Sequence, residues 1–162
     1  MLLGRLPNAL TLDSKGRLVI PARMRDEIVR GDKSPDLHLG YLLDRCLYLH
    51  TEEMHAEFVD GFAGVVSETP VHRKLKTKML SRFFPVGLDN AGRITIPASL
   101  IEWAGIQKEV VVVCMKERIE LWAKEVHEEL ERADQEEFEE SLEAALELAS
   151  RKKQVGETRG HV

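Results

Sequence analysis

The sequence predicts an α+β, mainly β chain built from two tandem copies of one small unit. Three observations carry that expectation. Leu12-Asp13-Ser14-Lys15-Gly16-Arg17-Leu18-Val19-Ile20-Pro21-Ala22 returns as Leu88-Asp89-Asn90-Ala91-Gly92-Arg93-Ile94-Thr95-Ile96-Pro97-Ala98, with seven of eleven positions identical. Cys46-Leu47-Tyr48-Leu49-His50-Thr51-Glu52-Glu53 is then echoed, in the same order along the chain, by Arg118-Ile119-Glu120-Leu121-Trp122-Ala123-Lys124-Glu125. Each copy spans about 45 residues, which seldom buries enough apolar surface to stand alone. Two copies interleaving their hairpins around one core, related by a pseudo-twofold axis, resolve that shortage.

The elements follow in order. Leu10 to Leu12 reads as a short strand and Asp13-Ser14-Lys15-Gly16 as a turn. In that turn Asp accepts local backbone N–H bonds and Gly supplies a positive φ. Arg17 to Ile20 is the return strand, and Pro21 suits a first helical position because its missing N–H would be orphaned there anyway. A short helix runs from Ala22 to about Arg30, stopped near Gly31. Strands follow at 37–41 and 46–50, and Thr51 is an N-cap for another helix. The second copy repeats the pattern: a turn at 89–92, a strand at 93–96, Pro97, a helix to Ala104 stopped at Gly105, and strands at 109–115 and 118–122. Between the copies, 70–83 reads as a helix with Val71, Leu75, Met79 and Phe83 in an apolar stripe beside Lys74, Lys78 and Arg82. From about Lys124 to Lys153 a glutamate-rich helical region follows, and the tail from Gln154 is expected to be disordered. The domains are therefore expected at 7–54 and 83–126, joined by a helical linker at 55–82 and followed by an acidic helix and tail at 127–162.

Composition fits a folded chain, with 43% hydrophobic and 31% charged residues. No apolar run approaches the roughly 20 residues of a membrane helix. The polar start of the chain does not read as a signal peptide, so a cytoplasmic location is expected. Net charge is −5, but it is unevenly spread. Residues 1–116 carry 16 Lys/Arg and 14 Asp/Glu, whereas 117–162 carry 7 and 14. Any contact with nucleic acid must therefore come from local basic patches. Cys46 and Cys114 lie in apolar runs without metal-ligand spacing and read as buried thiols.

Chemistry-bearing motifs are few. The hairpin tip offers Lys15 and Arg17, and the second tip offers Arg93. A two-stranded ribbon fits the DNA major groove, Arg can grip guanine O6 and N7, and Lys can neutralise a phosphate. Equally, each Arg can pair with the Asp of its own turn. The basic face of 70–83 can follow phosphates or be salt-bridged to an acidic helix. The six histidines form no His-x-x-x-His pair, and phosphate-loop and dinucleotide glycine patterns are absent. Asp13 and Asp89 are better explained by their turns than as a carboxylate pair, so neither an enzyme nor a metal or cofactor site is expected.

With these residues in view, the chain resembles the MraZ family of bacterial regulators. The matching segments are Leu12 to Pro21, Asp44 to Leu49, Arg82-Phe83-Phe84, Leu88 to Pro97, Trp103-Ala104-Gly105-Ile106 and Ile119 to Trp122, within a likeness running to about residue 128. The resemblance implies two tandem swapped-hairpin units of the AbrB/SpoVT type, arranged as a pseudo-twofold double-psi-like β-barrel. It implies a ring-shaped homo-oligomer, nucleoid-associated, that binds direct repeats of double-stranded DNA in the promoter of the division and cell-wall gene cluster, its own promoter included. It needs no small-molecule substrate. DNA contacts would fall to Lys15, Arg17 and Arg93, with Asp13, Gly16, Asp89 and Gly92 shaping the turns. The chain departs from the family in having Ala91 where the first turn has Lys15, Leu2 in place of a Phe, and Pro85-Val86 in place of small residues. The acidic extension lies outside the likeness. A protein-interaction scaffold that uses this extension is the alternative.

Overall fold

Two antiparallel sheets organise the chain as far as His127 in a computed structural model that describes residues 2–29 and 36–159. The larger sheet has seven strands: β1 (Gly4–Arg5), β2 (Leu10–Thr11), β4 (Leu37–Gly40), β5 (Leu47–His50), β6 (Phe84–Val86), β8 (Glu109–Cys114) and β9 (Ile119–Ala123). Its order is β1-β8-β9-β5-β4-β6, with β2 also on β8. The smaller sheet pairs β3 (Arg17–Val19) with β7 (Arg93–Thr95). Four helices intervene: α1 (Ala22–Ile28), α2 (Glu52–Ala63), α3 (Pro70–Leu80) and α4 (Ala98–Ala104). Helix α5 (Lys124–Arg132) leads out of the first compact unit, which ends at His127. Helix α6 (Gln135–Arg159) belongs to the second unit.

The register expresses the duplication. In β3–β7, Leu18 pairs with Ile94, its own repeat equivalent, while Arg17 pairs with Thr95 and Val19 with Arg93. In β5–β9, Tyr48 pairs with its equivalent Glu120, while Leu47 pairs with Leu121 and Leu49 with Ile119. A residue opposite its own counterpart marks a local twofold axis, and both pairings carry one. The backbone bonds that tie each turn to the other copy are equally reciprocal. Ile20 N–H donates to Gly92 O (2.9 Å), and Ile96 N–H donates to Gly16 O (2.8 Å). Leu18, Ile20, Ile94 and Leu100 from the two copies enter one buried core with Leu37, Leu47, Leu49, Val110 and Leu121. At about 25 cal/mol per Å² of apolar area removed from water, this shared burial is the main stabilising term.

Several local expectations need correction. Hairpin pairing between 10–12 and the return strand reduces to one bridge, Leu12 to Leu18, because β2 pairs with β8 and β3 with β7. Pro21 and Pro97 are N-cap residues, with ψ of 144° and 139°, one step before the helices they introduce. Helix α3 stops at Leu80, and its stripe does not face the core throughout: Met79 and Phe83 are buried, but Val71 is 73% and Leu75 45% exposed. The strand β6 at Phe84–Val86, with Pro85 on the sheet edge, was not anticipated by the pattern. The acidic region is two helices, broken where Asp134 takes a φ of 47°, and α6 stays helical through Arg159 rather than fraying from Gln154. Thr51 caps α2 as expected, accepting from Met54 N–H. The helix stop at Gly31 falls outside the described residues.

Candidate nucleic-acid interface

Each turn is built by its Asp. Asp13 Oδ1 accepts from the N–H groups of Lys15 (2.9 Å) and Arg17 (2.8 Å), and Oδ2 accepts from Arg17 Nε (2.7 Å). Asp89 does the same with Ala91 N–H (2.9 Å), Arg93 N–H (2.9 Å) and Arg93 Nε (2.8 Å). Gly16 and Gly92 take φ of 74° and 72°, a region in which a side chain is strained. The backbone N–H of Arg17 does most to hold the Asp13 carboxyl below its ordinary pKa, and the Arg17 side chain and Lys15 N–H add to it. Arg93 and Ala91 do so for Asp89.

The Asp–Arg pair does not consume the arginine. It occupies Nε, and the terminal amino groups of Arg17 and Arg93 make no hydrogen bond among the described residues. Those are the groups that reach O6 and N7 of guanine. Structural pairing and DNA contact are thus compatible, because the carboxylate aims the guanidinium and leaves its fork open. Leu18 and Ile94 point into the core, so Arg17, Val19, Arg93 and Thr95 share the outer face of the β3–β7 ribbon. The two arginines lie at its diagonal corners, about 7–8 Å apart by strand geometry. Lys15, at the first tip, is exposed.

The turns rest on different supports. A Cβ on Gly16 would meet Ile96 O at 3.2 Å and Ile101 Cδ1 at 3.3 Å. A Cβ on Gly92 would meet Arg25 Cδ at 2.8 Å and Cζ at 2.9 Å. Arg25 and Ile101 are equivalent positions of α1 and α4, so each turn is covered by the helix of the other copy. The sequence pattern did not single out Arg25. Aligning the copies at their offset of 76 sets it against an isoleucine, and that mismatch was the available signal.

Elsewhere, two of the four cations of α3 and Arg82 just beyond it find local partners, while no side-chain hydrogen bond or ion pair of Lys74 or Lys78 is present among the described residues. Lys76 pairs with Glu68 (2.8 Å), Arg73 donates to Glu68 O (2.6 Å), and Arg82 donates to Leu42 O (3.3 Å) over the Tyr41 ring. Near the second axis Glu120 is buried and accepts from Arg118 Nε and Trp122 Nε1, both at 2.9 Å. A second feature missed in the sequence is a histidine stack. His38 and His50 are cross-strand partners, the His55 ring stacks on His38 at 3.9 Å, and Nδ1 of His50 lies 3.0 Å from Nδ1 of His55. Burial, reinforced by His55 and His38, lowers the His50 pKa to about 4. Among the described residues no group of three His, Cys, Asp or Glu side chains is arranged to hold a metal. Cys46 and Cys114 are free and buried, and burial raises both thiol pKa values. Among the described residues no helix is long and apolar enough to cross a membrane.

A family model described as "MraZ protein, putative antitoxin-like" matches residues 79–149. The chain is 35% identical over 148 residues to the transcriptional regulator MraZ of Thermoanaerobacter sp. (strain X514), covering 88% of this chain and 95% of that protein. It is 32% identical over 133 residues to the transcriptional regulator MraZ of Mycoplasmoides gallisepticum, covering 82% and 90%. The corresponding Legionella pneumophila (strain Corby) protein is 31% identical over 121 residues, covering 75% and 80%. With its paired turns in place and its likeness to these relatives spanning both repeat copies, the chain belongs to the MraZ family.

Proposed function

We propose that the chain is a sequence-specific DNA-binding transcription regulator that reads double-stranded DNA with the outer face of its β3–β7 ribbon. The observation that carries this reading is the open fork of Arg17 and Arg93, each aimed by its own aspartate on one shared face. Lys15 adds a phosphate contact at the first tip. The chain's relatives in Thermoanaerobacter and Mycoplasmoides are transcriptional regulators, which supports the same reading. The target is a set of direct repeats in the promoter of the division and cell-wall gene cluster, including the chain's own promoter. One subunit makes few contacts, so a ring-shaped homo-oligomer supplies affinity by engaging successive repeats. The regulator works at the nucleoid in the cytoplasm. Segments 7–54 and 83–126 form the two halves of the reading unit, 55–82 connects them, and 127–162 lies outside it.

Footprinting on the chain's own promoter tests this reading. Arg17→Ala is expected to abolish the specific footprint while leaving the oligomer's size unchanged, and Arg93→Ala to weaken the footprint. Protection by Arg17→Ala equal to that by the unaltered protein would reject the assignment. One observation favours a second role, as an interaction scaffold. Every described side chain from Glu128 to Glu157 is exposed, including Phe138, Leu142 and Leu146 of α6. Protein capture that survives Arg17→Ala but is lost on deleting 124–162 would support it.

A further inference from the structure

We propose that Arg25 is the phosphate-gripping cation of the second turn, taking the place that Lys15 holds in the first. This inference rests on the DNA-binding reading above and adds a residue to the same face. The two turns have the same backbone and the same Asp–Arg pair, yet the second tip has Ala91 where the first has Lys15. On local sequence the second turn is one cation short. The pseudo-twofold supplies that charge from elsewhere. Helix α1 of the first copy covers the second turn, and the residue it sets there is Arg25, whose Cδ and Cζ fill the space a Cβ on Gly92 would take. At the first turn the equivalent residue, Ile101, offers only a methyl group. Each turn thus has one arginine of its own and one further cation, carried by the tip in one case and by the opposing helix in the other.

The electrostatics of Arg25 point the same way. Its Nε is buried without a hydrogen-bond partner, and among the described residues no ion pair to its guanidinium is present. Asp89, the nearest acid of the turn, is already engaged by Ala91 and Arg93. A guanidinium partly withdrawn from water and lacking a counter-charge is poised for an anion arriving from outside. Gly92 directly precedes Arg93, so an anion beside the Gly92 backbone is a phosphate flanking whatever base Arg93 meets. Glycine is favoured there for its φ of 72°, and its missing Cβ leaves the space that the Arg25 stem occupies.

A phosphate contact differs from a base contact in what it does to salt dependence and specificity. Removing one weakens binding to every sequence alike and reduces the slope of log K against log salt by about 0.9 per engaged subunit. The test uses fluorescence anisotropy of the full chain with two labelled duplexes, its own promoter and a scrambled sequence of equal length, across a salt series. Arg25→Met, which keeps the stem over Gly92, is expected to weaken both duplexes by a similar factor and to flatten both slopes. Arg25→Lys is expected to stay within about twofold of the unaltered protein, since a phosphate contact needs only a point charge. Ala91→Lys added to Arg25→Met is expected to restore the slope, because it rebuilds the first turn's arrangement in the second. Unchanged slopes for Arg25→Met, with Arg17→Ala still abolishing specific binding, would overturn the role of Arg25 and leave the regulator reading intact. No binding of either duplex by the unaltered, folded protein would remove both. If Arg25→Met does not fold, Arg25→Gln replaces it, with the same slopes deciding.

Discussion

The two copies of the repeat share a backbone and differ in what surrounds it. In the first copy the turn carries its own lysine and leans on the aliphatic Ile101, whereas in the second it carries alanine and leans on Arg25. At the far end of each unit, His50 and Trp122 hold equivalent positions. His50 is packed among His38, His55, Phe58 and Phe83, and Trp122 donates to Glu120. Duplication fixes the residues that set φ, strand register and the shared core. It leaves free those that face outward or pack peripheral helices. Asp, Gly, Arg and Pro are kept at every turn, while tip charge and the final aromatic layer have diverged. The lesson is that sequence identity between the copies tracks the axis, and functional asymmetry lies beside it.

The strongest test of that equivalence is made on the axis itself. Leu18 and Ile94 are fully buried and paired with each other. Leu18→Ala and Ile94→Ala are each expected to cost about 3 kcal/mol, within the usual range for emptying a core site. Urea unfolding measures both, and a difference well above about 1 kcal/mol would break the symmetry argued here.

Acid should separate the copies next. The folded pKa of His50 is about 4, below the ordinary 6.5, because burial and the neighbouring imidazoles disfavour the charged ring. The unfolded chain therefore binds the proton first. Stability is full above pH 6.5, falls as pH drops from there towards 4, and does not fall further on this account below it. Two and a half units correspond to at most about 3 kcal/mol. The His55 pKa is also lowered, first by burial and then by His38, and this adds in the same direction. Only one of the two bonded Nδ1 atoms can hold a proton, so charging both rings removes the bond that joins α2 to β5. Arg118 also opposes a charge on His50, and Glu57 and Glu117 line the adjoining cavity of about 330 Å³. His50→Phe is expected to flatten the limb between pH 6.5 and 4 in thermal melts. An unchanged limb would place the acid sensitivity elsewhere.

The smallest contrast is between the two glycines. Both substitutions to alanine meet the left-handed penalty, about 1–2 kcal/mol. At Gly16 the new Cβ also presses on the Ile96 carbonyl, which is fixed by the backbone, whereas at Gly92 it presses on the Arg25 side chain, which can swing away. Gly16→Ala is thus expected to be the more destabilising by roughly 1 kcal/mol. Adding Arg25→Ala should lessen the cost of Gly92→Ala and do nothing for Gly16→Ala. Equal costs in chemical denaturation would mean that Arg25 is held as firmly as backbone.

Much of this was legible in the residues. The repeat announced the elements, because Asp-x-x-Gly-Arg and Ile-Pro-Ala specify turn and helix entry through local chemistry. Thr51 and Gly105 marked a cap and a stop in the same way. The pairing partner was not local. Arg17 to Val19 has the same alternation whether it meets its own hairpin or the equivalent strand of the other copy, and only the three-dimensional register decides. Val71 and Leu75 fit a helical stripe but lie largely on the surface, since periodicity says which residues share a face and not what covers it. Of the site, Lys15, Arg17 and Arg93 could be named from the turns. Arg25 could not, because its neighbour Gly92 lies 67 positions on. The histidine stack joins two strands and a helix through residues with no regular spacing.

The crossing of β3 onto β7 also governs how the chain is made. Arg93 follows Val19 by 74 residues, which a ribosome adding about 5–20 residues per second needs about 4–15 seconds to supply. Local structure is sampled in microseconds, so the first copy waits with its strand unmatched and its short helix unsupported. During that wait Leu18 has only its bridge to Leu12 for company. A neighbouring nascent chain offers a strand of nearly the same sequence, in the same unmatched state. Synthesis is therefore the stage at which exchange of strands between chains competes with completion within one, and slower translation between the copies should raise the yield of exchanged dimers.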